Sequence, residues 1–330
     1  MPVDLSIVLS TYNRSAVLRN ALEKLAVQQT NGIDYEILIV DNNSTDDTEQ
    51  VVASFIGRDS RFRYIFERRQ GLSHARNAGI AAAQSDLIVF CDDDIEAAGD
   101  WIQQNYEASL RFPEADYIGG RVLPIWGGPV PSWVRQTMAP FALSDLGDKP
   151  VIVSPQRQHC LVGASLAVRR RALDKAGLFS IETQRVKNSI GSTEDFDWQM
   201  KVWAHGGHGV YVPEIVCATE VPRDRLSKAY HRRWHLGHGK FNAIARRPIW
   251  DGNKRLAGVP VFMYRQALEA ALGWLKFTFR GRAVDAFEEE ATFLFYIGFF
   301  RQRWKAHLLG TGERGSRPAR QASPTPQSSE

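Results

Sequence analysis

The run Leu87-Ile88-Val89-Phe90-Cys91, followed at once by Asp92-Asp93-Asp94, constrains this chain more than any other segment. A short apolar run rich in β-branched and aromatic residues is too brief for most helices and reads as a buried parallel strand. Its abrupt end on three carboxylates reads as the carboxyl end of that strand opening on a site. Adjacent negative charges repel, and a divalent cation held by oxygen ligands would relieve the repulsion. A solvated acidic turn that caps the next helix would give the same triplet, so the triplet alone leaves both readings open.

The surrounding pattern gives that strand a context. Residues 5–9 and 36–40 read as strands, with Ala16, Val17, Leu18, Ala21, Leu22 and Leu25 at helical spacing between them. Thr45 or Asp46 can cap the helix that follows. Residues 62–66 read as a third strand, 72–83 as an alanine-rich helix and 87–91 as the fourth strand. This alternation predicts an α/β fold with a mostly parallel sheet sandwiched by helices. Ligands of such sheets bind beyond the carboxyl ends of the strands. Ser10 to Arg14, Asp41-Asn42-Asn43 and Asp92-Asp93-Asp94 all fall there, a polar edge suited to a base, a ribose and a metal-bound diphosphate.

Two nucleotide-binding devices are missing. No G-x-G-x-x-G follows the first strand, and there is no G-x-x-x-x-G-K-[ST] loop, which argues against a dehydrogenase or a phosphate-loop ATPase. The net charge of +4 over 330 residues is modest, and no nucleic-acid partner is expected. Cys91, Cys160 and Cys217 are scattered and odd in number, which points to free thiols in a reducing compartment rather than a disulfide framework. The N-terminus shows no secretory pattern, and no apolar run is long enough to span a bilayer. A cytoplasmic location is therefore expected.

Taken in order, several short segments resemble the family 2 glycosyltransferases of GT-A fold. They are Val8-Leu9-Ser10-Thr11-Tyr12-Asn13-Arg14, Val40-Asp41-Asn42-Asn43-Ser44-Thr45-Asp46, Gly71-Leu72-Ser73-His74-Ala75-Arg76-Asn77-Ala78-Gly79 and Asp92-Asp93-Asp94. Gly119-Gly120-Arg121, Gly163-Ala164-Ser165 and Thr193-Glu194-Asp195 follow. Each is weak alone; the ordered set is specific. The resemblance covers roughly residues 3–235. It implies an inverting enzyme that moves a sugar from a nucleotide-diphospho-sugar, UDP-linked by expectation, to a glycan or lipid-linked acceptor in cell-surface glycan assembly. The alternatives are a nucleotidyltransferase on a related sheet, whose glycine-rich, lysine-containing loop Ser10 to Arg14 lacks, and an inactive glycan- or sugar-nucleotide-binding module, against which Asp94 and Asp195 argue.

The resemblance also implies roles. Thr11, Tyr12, Asn13, Arg14, Asp41 and Asn43 would hold the nucleotide, and Arg76 would sit near it or its phosphates. Asp92 and Asp93 would contact the donor, with Asp94 and Asp92 binding Mg²⁺ or Mn²⁺. Gly163, Ala164 and Ser165 would line the sugar pocket, and Asp195 would be the general base, with Glu194 beside it raising one of the two pKa values. Hard oxygen donors suit these metals, and a positioned carboxylate suits proton removal from an acceptor hydroxyl. Thr193-Glu194-Asp195 also reads as a helix start, with Ser192 or Thr193 as cap. Asp197, Trp198 and His231 are candidate acceptor contacts, although a tryptophan at helical spacing also suits a core.

Where many relatives carry a metal-binding histidine before Val221-Pro222, this chain has Thr219 and Glu220, so Glu220 is a candidate substitute ligand. The segment 223–255 is basic, and phosphate recognition by residues such as Arg233 stands beside a plain solvated surface. His231, His235 and His238 only superficially resemble a zinc site. Tyr230-His231-Arg232-Arg233-Trp234 lacks the glutamine of the processive synthases, so transfer of a single sugar is expected.

The expected organisation is a catalytic domain at 1–235, with a nucleotide-sugar half at about 1–120 and an acceptor half at 121–235. A basic, aromatic helical extension follows at 236–309, then a disordered tail at 310–330. Residues 256–309 read as two helices suited to an anionic inner-membrane surface, to the catalytic domain or to a second subunit in a homodimer.

Overall fold

A computed structural model describes residues 3–135, 139–187, 189–245 and 254–309. The expected tail and Arg246, Arg247 and Asp251 of the basic segment lie outside the described residues. The predicted alternation is present: β1 (Leu5–Thr11), α1 (Ser15–Ala26), β2 (Tyr35–Asp41), α2 (Thr48–Ile56), β3 (Phe62–Phe66), α3 (Leu72–Ala82) and β4 (Leu87–Asp92). Then come β5 (Ile95–Ala97), α4 (Trp101–Arg111), β6 (Tyr117–Trp126), β7 (Val151–Val153), β8 (Ser165–Arg169), α5 (Arg170–Ala176), α6 (Glu194–Ala204) and β9 (Gly209–Val221). The central sheet has the order β3-β2-β1-β4-β8-β6-β9-β5, with β7 also on β9.

The parallel order predicted from the first third holds for β3, β2, β1 and β4. Beyond β4 the sheet is mixed: β8 runs antiparallel to both β4 and β6, and β9 is parallel to β6 but antiparallel to β5 and β7. Parallel neighbours require a crossover connection, which the regular βα units of the first third supply throughout and the later, longer segments supply only between β6 and β9.

Period-two alternation distributes the core. Leu5, Ile7, Leu9, Val89 and Cys91 face α1, α2 and α4 on one side. Val8, Leu38, Val40, Ile88 and Phe90 face α3, α5 and α6 on the other. Each such fully buried aliphatic side chain contributes about 1.5–3 kcal/mol, so the register is strongly specified. Both clusters draw on residues before and after position 120, so the two expected halves share one sheet and its cores.

The C-terminal part contains α7 (Lys228–Ala245), the small strands β10 (Arg255–Leu256) and β11 (Val259–Pro260), α8 (Val261–Phe279) and α9 (Ala283–Leu308). The expected boundary at 235/236 falls inside α7. Helix α9 packs on α7 through glycines: a Cβ at Gly239 would overlap the Phe295 carbonyl, and one at Gly298 the Leu236 carbonyl. The glycines that weaken α7 as an isolated helix are what allow this close backbone approach. Phe299 and Phe300 are buried with Met263 and Ala267, so much of the aromatic content of α9 is core. Among the described residues no helix is long and apolar enough to cross a membrane.

Candidate active site

Alternation along β4 decides where each acid points. Phe90 and Asp92 share the face covered by α3 and α6, while Asp93 turns toward β1. There the buried Asp93 carboxylate accepts from Thr11 Oγ1 at 2.7 Å and from Arg14 Nη1 at 2.5 Å. The second nitrogen of Arg14 bonds Asp94 at 3.0 Å, and Thr219 Oγ1 lies 3.4 Å from the other Asp94 oxygen. Thr11 and Arg14, expected at the nucleotide, are thus spent on the acidic triplet.

The neighbouring loops lock each other. Asn13 Oδ1 accepts from the Thr45 amide at 2.7 Å, and Asp41 accepts from the Ser44 amide at 2.8 Å and the Tyr64 hydroxyl at 2.7 Å. Asn13 and Asn43 both have positive φ, 51° and 66°, a conformation asparagine tolerates better than most residues. Asp46 holds two helix starts at once, accepting from the Ser15 amide at 2.9 Å and the Thr48 amide at 3.2 Å. Tyr12 is half-buried and Asn13 exposed on this rim.

Arg76 on α3 is the pivot. Its side chain is only 3% exposed. Nη1 contacts Asp195 Oδ1 at 2.5 Å and Glu194 Oε1 at 3.7 Å, and Nη2 lies 3.7 Å from Asp92 Oδ1. One guanidinium therefore sits between the acid that ends β4 and the pair that opens α6, which lie more than a hundred residues apart. Arg76, expected near the nucleotide or its phosphates, has its nitrogens facing three protein carboxylates. The second Asp195 oxygen accepts from the Gly163 amide at 2.9 Å. A Cβ at Gly163 would overlap Arg76 and lie 2.8 Å from Asp195 Oδ1, so only glycine fits there.

Glu194 is buried, with Oε2 lacking a hydrogen-bond partner. Burial and then the adjacent Asp195 charge raise its pKa, opposed by Arg76. Burial likewise raises Asp92, opposed by Arg76, with Asp94 adding repulsion and Arg185 opposing it. The helix start expected at Thr193-Glu194-Asp195 is present, with Thr193 at the N-cap position of α6, but its side chain makes no capping hydrogen bond and Oγ1 is buried without a partner.

Several expected contacts are not brought to this cleft. Ala164 is core, and Ser165 accepts from the Trp101 indole at 3.0 Å on the opposite face of the sheet. Trp198 is 0% exposed, stacked on Phe179 and donating to the Gly177 carbonyl, so it offers no face to a sugar. Asp197 is buried and paired with Lys201 at 2.8 Å. His231 is buried against Trp133, Phe141 and Phe287, with Nε2 3.0 Å from the Arg225 carbonyl. Glu220 is exposed, and alternation along β9 turns it away from the face where Thr219 meets Asp94, which removes it from the ligand set. His235 and His238 are aromatic packing residues; His238 stacks on Trp234 with centroids 4.4 Å apart.

Sequence reasoning missed Gln184 and Arg185. Gln184 Oε1 accepts from the Ser73 amide at 3.0 Å and so caps α3 from afar, and the Arg185 carbonyl accepts from the Leu72 amide at 3.0 Å. The Arg185 charge acts on both Asp92 and Tyr230, and Arg225 and Arg233 act on the same Tyr230. No local pattern marks these residues, because their partners are about a hundred positions away.

The residues suit a hard divalent cation. Arg14 pairs with both Asp93 and Asp94, whereas Asp92 keeps a side chain 39% exposed with Asp94 beside it. Two carboxylates, completed by water and phosphate oxygens, are an ordinary Mg²⁺ donor set. No cluster of three or more His, Cys, Asp or Glu side chains forms a protein-only cage among the described residues.

Comparison with known proteins agrees with this geometry. Residues 6–177, more than half of the chain, match the family model described as Glycosyl transferase family 2. Validoxylamine A glucosyltransferase of Streptomyces hygroscopicus subsp. limoneus is 39% identical over 101 residues, 30% of this chain but only 22% of that protein. Succinoglycan biosynthesis protein ExoO of Rhizobium meliloti is 24% identical over 93% of this chain and 80% of its own length. Among solved structures, the mannosyltransferase PcManGT of Pyrobaculum calidifontis, in complex with GDP-Man and Mn²⁺, shares the fold. Its TM-score is 0.53 at 18% identity, covering 97% of this chain and 78% of that one. With the family model covering residues 6–177 and spanning the acidic strand and the Gly163 loop, the chain belongs to glycosyl transferase family 2.

Proposed function

We propose that this protein transfers a single sugar, with inversion, from a nucleotide-diphospho-sugar to a hydroxyl of a glycan or lipid-linked acceptor. The observation that supports the reading is the Arg76 guanidinium lying 3.7 Å from Asp92 and 2.5 Å from Asp195, which holds the proposed donor-side and acceptor-side carboxylates close together. The relatives with printed activities, a glucosyltransferase and a succinoglycan biosynthesis protein, support sugar transfer in glycan assembly.

In this reading Asp41, Asn13 and the rim at Tyr12 and Asn43 receive the nucleotide, taken as UDP. Asp92 and Asp94 would hold Mg²⁺ or Mn²⁺, which neutralises charge growing on the departing diphosphate. Asp195 removes the acceptor proton. Arg76 and the Gly163 amide fix its two oxygens, leaving further lone pairs free to accept. Attack from the side of Asp195, opposite the leaving group, inverts the anomeric centre. Arg185, whose charge acts on both Asp92 and Tyr230, and Arg225 and Arg233, which act on the same Tyr230, would supply positive charge for the phosphates of the donor or of a phosphorylated acceptor.

The test is a screen of UDP-, GDP- and dTDP-sugars for binding and nucleoside diphosphate release, with and without Mn²⁺. An Asp195→Asn variant should keep donor binding while turnover drops about 10²- to 10⁴-fold. Failure of every nucleotide-sugar to bind with metal present removes the reading; wild-type turnover in the variant removes Asp195 as base.

A further inference from the structure

Helix α8 is apolar on two opposite sides. Met263, Ala267 and Ala270 are buried on the side facing α9. On the other side Val261, Leu268, Leu272, Leu275 and Phe279 are 50%, 60%, 56%, 51% and 89% exposed. At about 100° per residue these five fall within an arc of roughly 60°, nearly opposite the buried set. They form a straight stripe about 27 Å long. A helix apolar all round belongs in an interior, and scattered surface leucines do not align in this way. Nothing among the described residues covers the stripe.

One flank of the stripe is cationic. Arg265 and Arg282 are partly neutralised by Glu269 at 3.5 Å and Asp285 at 2.8 Å. Lys276 and Arg280, exposed beside Leu275 and Phe279, meet no carboxylate among the described ion pairs. Lys276 lies over the Phe277 ring at 5.5 Å, and Arg282 over the same ring at 4.7 Å. A second copy of the chain docked on this face would bring its own cations against these, whereas an anionic surface would pair with them. An apolar line bordered by Lys and Arg is the pattern of a helix lying in a lipid headgroup layer.

We propose that α8 docks the protein on an anionic lipid surface, Leu268, Leu272, Leu275 and Phe279 entering the acyl boundary and Lys276 and Arg280 meeting phosphate headgroups. The proposal is independent of the transfer reaction. It is tested by co-sedimentation of the full chain with phosphatidylglycerol-containing vesicles and with pure phosphatidylcholine vesicles. Binding is expected to be at least about tenfold stronger to the anionic vesicles and to weaken with salt. Leu272→Glu with Phe279→Glu should lose at least about tenfold of it, and Lys276→Gln with Arg280→Gln should lose the preference for anionic lipid. Both changes are at exposed positions, so an unchanged melting temperature reports intact folding. Undiminished sedimentation of the double glutamate variant, absence of binding to anionic vesicles, or a dimer that the same variant dissolves would each overturn the proposal.

Discussion

Replacing Gly163 by alanine should separate catalytic positioning from substrate binding. The added methyl group would overlap the Arg76 guanidinium and stand 2.8 Å from Asp195 Oδ1. Arg76 has nowhere to retreat: it is 3% exposed and lies 5.4 Å and 5.9 Å from the ring centroids of Phe179 and Phe90. Gly163 is not among the positive-φ residues, so alanine adds no backbone strain and the effect is steric. Over-packing a tight site costs about 1–3 kcal/mol. At about 2 kcal/mol, a chain of this size should melt about 3 °C lower. Relief of the clash must displace Asp195 or Arg76, and a shift of about 1 Å in a reacting group costs about 10²-fold in kcat. The nucleotide rim at Asn13 and Asp41 is untouched, so donor KM should move by less than about threefold. Steady-state kinetics beside thermal denaturation measure both. Wild-type kcat in this variant would show that the Gly163–Arg76–Asp195 contact does not position the base.

Other changes probe the same cluster. Arg76→Met removes the shared cation from Asp92, Glu194 and Asp195; unfolding should cost about 3–5 kcal/mol less, with the larger loss at about pH 8, where the carboxylates are ionised. Glu194 binds protons more tightly folded than unfolded, so its contribution makes stability fall as pH rises from its ordinary range through the raised value. Glu194→Gln, which still faces Arg76 and Asp195, should therefore raise the melting temperature at about pH 8 and change it little at about pH 5. Glu220→Ala should leave the Mn²⁺ concentration for half-maximal activity unchanged; an increase would return Glu220 to the ligand set.

How far the sequence could be read depended on the range of the interactions involved. The βα alternation through β4 was legible because strand and helix periods are local and each apolar set has one face to bury. The mixed half was not, since the pairing of β8 with both β4 and β6 leaves no local trace. The acidic triplet read correctly as a strand end, yet not which acid does what. Alternation sends Asp93 to Thr11 and Arg14 and leaves Asp92 for the cleft. Trp198 and His231 were misplaced for a related reason: an aromatic ring suits a sugar and a core equally, and only packing distinguishes them. The aromatics of the last two helices divide in the same way, with Phe299 buried and Phe279 exposed.

By itself the sequence determined the strand-and-helix order of the first third and the kind of donor atoms at its edge, because composition and periodicity carry that information along the chain, and its ordered short motifs carried the resemblance to sugar transferases. Tertiary structure alone decided that Arg76 joins Asp92 to Asp195, that Gly163 must lack a side chain and that Glu220 faces away. Those facts depend on distances between residues far apart in sequence, which exist only once the helices have closed on the sheet.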